Sequence, residues 1–286
     1  MSPDLYALII KLVAEHPGAL RATQGHLTHA AFLAILNVVD PTLAQAIHDD
    51  TGRKPFTLSP LHGFGAPANG LIKLHAGQEG WLRVTLLDPA LFHTFIAYFL
   101  QGSHQPSISL ERMRFHITEI LSANGSHLLC GVASLAELAH RWETLPGPLA
   151  AYQTLDLTFA SPTAFRLAGH AHRAMHVLPD PYFVFGELAG SWDRLNGEHT
   201  QEVVRQYAAE NIVVARHRIQ THMYHFSRSY QVGFAGRVAF HILDQEDLPM
   251  ISHLNRLADL AFFTGVGSKT TMGMGQVWRT QADDDG

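Results

Sequence analysis

Gly265-Val266-Gly267-Ser268-Lys269-Thr270-Thr271-Met272-Gly273-Met274-Gly275 places four glycines around one lysine and several hydroxyls. Glycine lets a backbone approach a ligand closely and turn successive N–H groups into one concavity, for which phosphate is the natural guest. A nucleotide-binding P-loop is excluded on two counts. Its pattern puts a glycine before the lysine, whereas Ser268 precedes Lys269. It also joins a strand to a helix, and this segment leads from a helix into a strand. An ordinary helix–strand connection needs about 2–6 residues, so the segment reads as a binding loop rather than a flexible turn. Only eleven residues follow it. They leave room for one short strand, Gln276–Arg279, and a solvated acidic tail.

Working back from the loop, Asp247 and Pro249 open a helix that turns Ile251, Leu254, Leu257, Ala258 and Ala261 inward and ends at Gly265. Before it, Ile212–Phe226 and Gln231–Leu243 read as two long strands forming a hairpin. Val214, Arg216, Arg218 and Gln220 share one face of the first by the two-residue period. Gln201–Ala209 is helical and Leu155–Leu167 strand-like. Thr144-Leu145-Pro146-Gly147-Pro148 is the linker signal. In the first half, Leu5–Val13 is an apolar strand, and Leu27, Ala31, Ile35 and Val38 line one face of a helix over 27–39. Asp40-Pro41 starts a second helical piece as N-cap and first helical residue, with Gly52 as its C-terminal glycine. Strands follow at Phe56–Ser59, Leu71–His75 and Trp81–Leu87. Asp88-Pro89 opens another helix, and Ser107–Ile120 is extended. Each half is therefore β-α-β-β-α-β. The expected class is α+β, with two tandem ferredoxin-like (RRM-like) domains, each an antiparallel sheet with helices on one face. The boundaries are an N-terminal domain at 1–143, a linker at 144–153, a C-terminal domain at 154–280 and an acidic tail at 281–286.

The 286 residues, 31.6 kDa, are 47% hydrophobic and 16% charged, which argues against disorder. The single Cys130 excludes a disulfide framework and a cysteine-rich zinc module. No uncharged apolar run reaches membrane-spanning length. The run Leu5–Val13 is broken by Lys11 and lacks the basic lead of a signal peptide. A soluble cytoplasmic protein with no membrane partner is the expectation. Twenty Lys and Arg against 25 Asp and Glu give a formal charge of −5. That argues against coating nucleic acid non-specifically and leaves room for a local basic groove. The 20 histidines supply proton chemistry near neutral pH or metal ligands. His170-x-His172-x-x-x-His176 is the one metal-like spacing. Carboxylates are sparse before Asp180, Arg173 sits among the histidines, and no H-E-x-x-H occurs. No metal and no cofactor are expected.

The phrase from Phe263 through Gly265-Val266-Gly267 and Gly273-Met274-Gly275 to Val277 resembles the glycine-rich loop of the CRISPR-associated endoribonucleases that process precursor CRISPR RNA. These form the sixth-numbered family of CRISPR-associated proteins, within the repeat-associated RNA-binding superfamily. Ser161-Pro162-Thr163-Ala164-Phe165-Arg166 is similar to the segment opening that family's second domain, and Leu178-Pro179-Asp180-Pro181 fits as well. The resemblance is stronger over the second half than over the first. It implies two ferredoxin-like domains, metal-independent cleavage at the base of a repeat hairpin and retention of the product.

In the first half, Asp40-Pro41, Leu43-Ala44, His48, Gly52, Lys54 and Phe56-Thr57 match the family's pattern around its catalytic histidine. By that match His48 is the catalytic histidine and Lys54 the nearby lysine. A histidine at a helix C-terminus, where a cation is favoured, can take a proton from a 2′-hydroxyl or give one to a departing 5′-oxygen. Lys54 can neutralise charge on the phosphorane. The products would carry a 2′,3′-cyclic phosphate and a 5′-hydroxyl. Some relatives use a tyrosine on the first helix; Phe32-Leu33-Ala34-Ile35 holds none, so His26 and His29 are the candidate second acid–base groups. Gly265, Gly267, Ser268, Lys269, Thr270, Gly273 and Gly275 are the expected RNA-binding loop. Arg216, Arg218, Arg228 and Arg237, with His217, His222 and His225 among them, suggest a groove along an RNA backbone. Arg166 and Arg173 join them. The partner implied is CRISPR repeat RNA. Effector-complex subunits and a homodimer stay open. The alternative to a nuclease is a non-cleaving RNA-binding subunit of a CRISPR ribonucleoprotein complex, which would have no need of His48 with Lys54. A metal-dependent hydrolase built on the histidine clusters is a third reading.

Overall fold

Strand β1 (Leu5–Ala14) is buried along nearly its whole length, as a central strand covered on both faces must be. The computed structural model describes residues 3–100, 106–143, 149–167, 174–227 and 229–280. They form two units. The first is Met1–Ala133 with His225–Ser229 and Thr271–Gly273; the second is Ser134–Tyr224, Tyr230–Thr270 and Met274–Gly286.

In the first unit β1 is followed by β2 (Gly18–Arg21), α1 (Gly25–Val39), α2 (Pro41–Asp49), β3 (Phe56–His62), β4 (Leu71–Leu74) and β5 (Glu79–Leu86). Then come α3 (Pro89–Leu100), β6 (Ser107–Leu110), β7 (Met113–Leu121) and β8 (Gly131–Ala133). The sheet runs β3-β5-β1-β7-β6, with β8 against the start of β1; β2 and β4 form a separate ribbon. The pairs in this sheet are antiparallel. Counting β1, β3, β5 and β7 as first to fourth, the order is 2-3-1-4, the ferredoxin-like arrangement. Tyr6, Leu8, Ile10 and Leu12 alternate onto one face and pack in one core with Phe32, Leu36, Leu91 and Phe95 of the helices.

The second unit holds α4 (Leu135–Arg141), β9 (Thr154–Thr163), β10 (Phe165–Arg166), β11 (Met175–His176), α5 (Pro181–Asn196) and α6 (Gln201–Asn211). It continues with β12 (Ile212–His225), β13 (Tyr230–Ile242), α7 (Leu248–Thr264) and β14 (Val277–Arg279). Its sheet order, β12-β13-β9-β14, is again 2-3-1-4. The α+β class with tandem ferredoxin-like folds therefore holds.

Several local expectations need correction. Helix α2 ends at Asp49 with Asp50 as its C-cap, not at Gly52. The Asp50 carboxylate takes the Gly52 N–H at 2.7 Å, so the turn closes without a glycine cap. The stretch 107–120 is two strands, because Glu111 adopts φ 53° and reverses the chain. The strand from Leu155 breaks at Ala164 into β9 and β10. Helix α5 had no sequence assignment, although Val184, Phe185, Leu188, Ala189 and Trp192, spaced as one helical face, are all buried; Gly186 and Gly190 inside it weaken the helical signal. Residues 134–143 pack with the second unit. Asp259 on α7 accepts from Trp142 Nε1 at 2.8 Å and Arg141 Nη1 at 3.1 Å, and also binds Arg279 Nε. The linker core at 144–148 and the tail at 281–286 lie outside the described residues. Among the described residues no helix is long and apolar enough to cross a membrane.

Candidate active site and RNA-binding loop

Asp40 joins two helices and serves both. Its N–H caps α1 through Leu36 O, and its carboxylate accepts from Leu43 N at 2.9 Å to start α2. Pro41 at the first helical position cannot continue α1 and suits the start of α2. The outcome is that α2 delivers His48, exposed, in its last turn. The carbonyls left over at that end are claimed by one side chain. Lys54 Nζ donates to Ile47 O, to Asp50 O and, at 3.2 Å, to His48 O. Lys54 is thus a charged C-terminal cap that holds the backbone carrying His48.

His29 lies on α1 and faces the same neighbourhood, because charge on Lys54 and on His48 acts on its ring. Burial, first, and those two charges hold its pKa below the ordinary histidine range, against the opposing effect of its hydrogen bond to the Thr271 carbonyl. His29 Nδ1 lies 3.1 Å from Thr271 O, a contact inside the first unit, to which Thr271–Gly273 belong. The ring also stacks on Phe56, with centroids 5.6 Å apart and planes at 27°. His26, one turn earlier, has its Nδ1 buried without a hydrogen-bond partner. The structure thus brings His29, His48 and Lys54 together and gives His26 no comparable support.

The glycine segment is a folded frame. Val266 N donates to Gly275 O at 2.9 Å, Ser268 N to Ala164 O at 2.9 Å, Gly275 N to Pro162 O at 3.1 Å and Gln276 N to Ser161 Oγ at 2.9 Å. Two glycines are required sterically. A Cβ on Gly267, at φ 84°, would meet Ala164 O at 2.6 Å; one on Gly275, at φ 68°, would meet Val266 O at 2.2 Å. Gly265, Gly267, Thr270, Gly273 and Gly275 are buried, while Ser268 and Lys269 are half-buried at the turn, Lys269 in the left-handed region at φ 58°. Several of the N–H groups read from sequence as a phosphate cradle are therefore spent on protein acceptors. The resemblance of Ser161–Arg166 to the opening of the family's second domain now has a physical content: its first four residues are the shelf on which the loop rests.

Arg216 and Arg218 are exposed on β12, an edge strand that is open to solvent over most of its length. Arg216 Nη2 lies 3.5 Å from Asp156 Oδ1. Arg237 is half-buried on β13, and Arg166 exposed on β10. Arg173, Arg228 and two of the three spaced histidines, His170 and His172, lie outside the described residues. Sequence reasoning missed the Thr271 carbonyl and the Phe56 ring, since neither residue type signals such a role.

Two family models match the chain: the CRISPR Cas6 N-terminal domain over residues 4–138 and the CRISPR-associated endoribonuclease Cas6 over residues 157–277. The curated CRISPR-associated endoribonuclease Cas6 of Streptococcus thermophilus is 24% identical over 124 residues, 43% of this chain. That match spans about half, 49%, of the relative's length. Among solved structures, a Cas6 product complex superposes with a TM-score of 0.80 at 27% identity, covering 98% of this chain and 100% of that one. The structure of Thermus thermophilus Cas6 gives 0.72 at 27% identity with the same coverage. A Cas6 substrate mimic complex gives 0.68 at 25% identity, covering 96% of this chain and 99% of that one. With both halves matched by models of one family and the whole chain by its structures, the chain belongs to the CRISPR-associated endoribonuclease Cas6 family.

Proposed function

We propose that this chain cuts CRISPR repeat RNA by metal-independent transesterification and so produces mature crRNA. The observation that carries this reading is the grouping of His29, His48 and Lys54 where α1 and α2 meet β3. His29, held below the ordinary histidine range by burial, is a neutral imidazole at physiological pH and takes the proton of the attacking 2′-hydroxyl. The 2′-oxygen bonds to the adjacent phosphorus and the bond from phosphorus to the 5′-oxygen breaks. His48, at the negative end of α2, hands a proton to that leaving oxygen. The products carry a 2′,3′-cyclic phosphate and a 5′-hydroxyl. Lys54 acts by holding the end of α2 and by adding positive charge near the phosphorane.

Lys269 and Ser268 on the glycine loop, with Arg166, Arg216, Arg218 and Arg237, contact the RNA backbone, while buried Thr270 shapes the loop. Support comes from relatives solved as product and substrate mimic complexes. Two domains, read from the sequence as 1–143 and 154–280 about an intervening linker, are the accompanying reading of the chain's organisation, with 134–143 packing on the second.

The test is labelled cognate repeat RNA incubated in EDTA with the wild type, His29→Ala and His48→Ala, beside a substrate 2′-deoxy at the cut site. Single-site cutting by the wild type, lost with both substitutions and with the deoxy substrate, is the expected result. Tight binding without cutting would replace this reading with a non-cleaving RNA-binding subunit. Cutting abolished by EDTA and restored by a divalent cation would replace it with a metal-dependent hydrolase.

A further inference from the structure

The glycine segment meets the histidine site at His29 Nδ1 and Thr271 O, residues 242 positions apart. A carbonyl oxygen only accepts hydrogen bonds. The proton must therefore sit on His29 Nδ1, which leaves the lone pair on Nε2. This is the reverse of the tautomer that predominates for histidine in water, so the contact is selective. We propose that the Thr271 carbonyl, at the crown of the glycine segment, is a positioning group for catalysis that holds His29 in the tautomer whose Nε2 accepts the 2′-hydroxyl proton. The inference rests on His29 being the base in the reading above and adds what makes it competent.

Three features make the carbonyl a fixed point. Thr270–Met272 form a single 3-10 turn. Met274 N closes that turn onto Lys269 O at 3.3 Å. Lys269 at φ 58° and Gly273 at φ 87° reverse the chain on either side. Beneath it, Ser268 N and Gly275 N are anchored on Ala164 O and Pro162 O. The His29 ring has little freedom of its own, stacked on Phe56. The charged and titratable groups acting on it are Lys54 and His48, with His26 one turn earlier on its own helix. An Nδ1–H to carbonyl bond that orients imidazole and selects its tautomer is a recurrent second-sphere device. Lys269 lies two residues before Thr271, so one short loop both meets RNA and orients the base. Disturbing the loop then affects the chemical step as well as affinity.

The experiment removes the acceptor without touching a side chain. A synthetic C-terminal segment with an ester in place of the amide between Thr271 and Met272 is ligated to the rest of the chain. This weakens the Thr271 carbonyl as an acceptor; the chain religated with the native amide is the control. Nitrogen-15 shifts of His29 read the tautomer in the free protein. The control should show a protonated Nδ1 and an unprotonated Nε2, and the ester variant a mixture. Single-turnover cleavage should slow about fivefold at the pH plateau, the worth of one ordinary hydrogen bond. The Thr271 bond favours the imidazolium, so weakening it lowers the His29 pKa. The acid limb of the rate profile should move to lower pH while RNA affinity holds. A merely structural loop would change affinity and leave that limb in place, and this result overturns the proposal. So does an Nε2–H tautomer in a control that cleaves. Failure of the control to cut RNA sinks the nuclease reading itself, whereas the nitrogen shifts test the tautomer independently of cleavage.

Discussion

Acidification from pH 7 to pH 5 should destabilise the first unit through His62. This ring stacks on Trp81, with centroids 4.0 Å apart and planes at 13°. Burial, first, and then the charges of Arg83 and His127 push its pKa from 6.5 down to about 4. The folded ring stays neutral where the unfolded one takes up a proton. Its contribution is therefore fully present above the unfolded value and is lost as pH falls through 6.5 towards 4. At about 1.36 kcal/mol per pKa unit, the whole window is worth about 3 kcal/mol. The portion between pH 7 and pH 5 is about 2 kcal/mol. His62→Phe keeps a ring on Trp81 and removes the proton site. Urea unfolding of both proteins at the two pH values is the assay. The wild type should lose about 2 kcal/mol more than the variant, since the other perturbed histidines, His29 and His253 among them, are common to both and cancel. Equal losses would refute the placement of His62 as a buried neutral ring.

Asp259→Asn removes the carboxylate that binds Arg279, Arg141 and Trp142 from a side chain only 10% exposed. The expected cost is about 3 kcal/mol of stability, read by chemical denaturation. Gly275→Ala adds a Cβ 2.2 Å from Val266 O at φ 68°; it should cost about 1–3 kcal/mol and weaken repeat RNA binding in a filter assay. Lys54→Met leaves three α2 carbonyls without their donor, lowering stability by about 1 kcal/mol and slowing single-turnover cleavage with RNA affinity retained. Arg216→Ala on the exposed edge strand should lower the salt dependence of log K for RNA by about one contact.

Helices that announce themselves with Asp-Pro were legible. Asp40-Pro41 caps and opens α2 as expected, and Asp247 caps α7 ahead of Pro249. The same signal at Asp180-Pro181 opens α5, yet Gly186 and Gly190, poor helix formers, interrupt the apolar stripe behind it and masked the helix. In the candidate site, His48 and Lys54 stood out through the resemblance of Asp40–Thr57 to the family's pattern, not through spacing alone. Their division of labour did not, since whether a lysine reaches a phosphate or a helix end depends on where the turn after α2 folds. The glycine segment was legible as a special loop. Its N–H groups were read as pointing at a ligand because the acceptors at Ser161, Pro162 and Ala164 lie about a hundred residues earlier in the chain.

The sequence by itself determined what short-range physics controls: the alternation of β1, the caps of α2 and α7, the order β-α-β-β-α-β repeated twice and a glycine-framed turn before the last strand. Those follow from contacts within a few residues, where chain connectivity leaves few alternatives. Only the tertiary structure decided what needs distant partners. It set β1 between β5 and β7, seated the glycine loop on the end of β9, and brought Thr271 to His29 across 242 positions. No local pattern encodes such a meeting, because it joins residues far apart along the chain, and the entropy of closing so long a loop is overcome only by burial of the core.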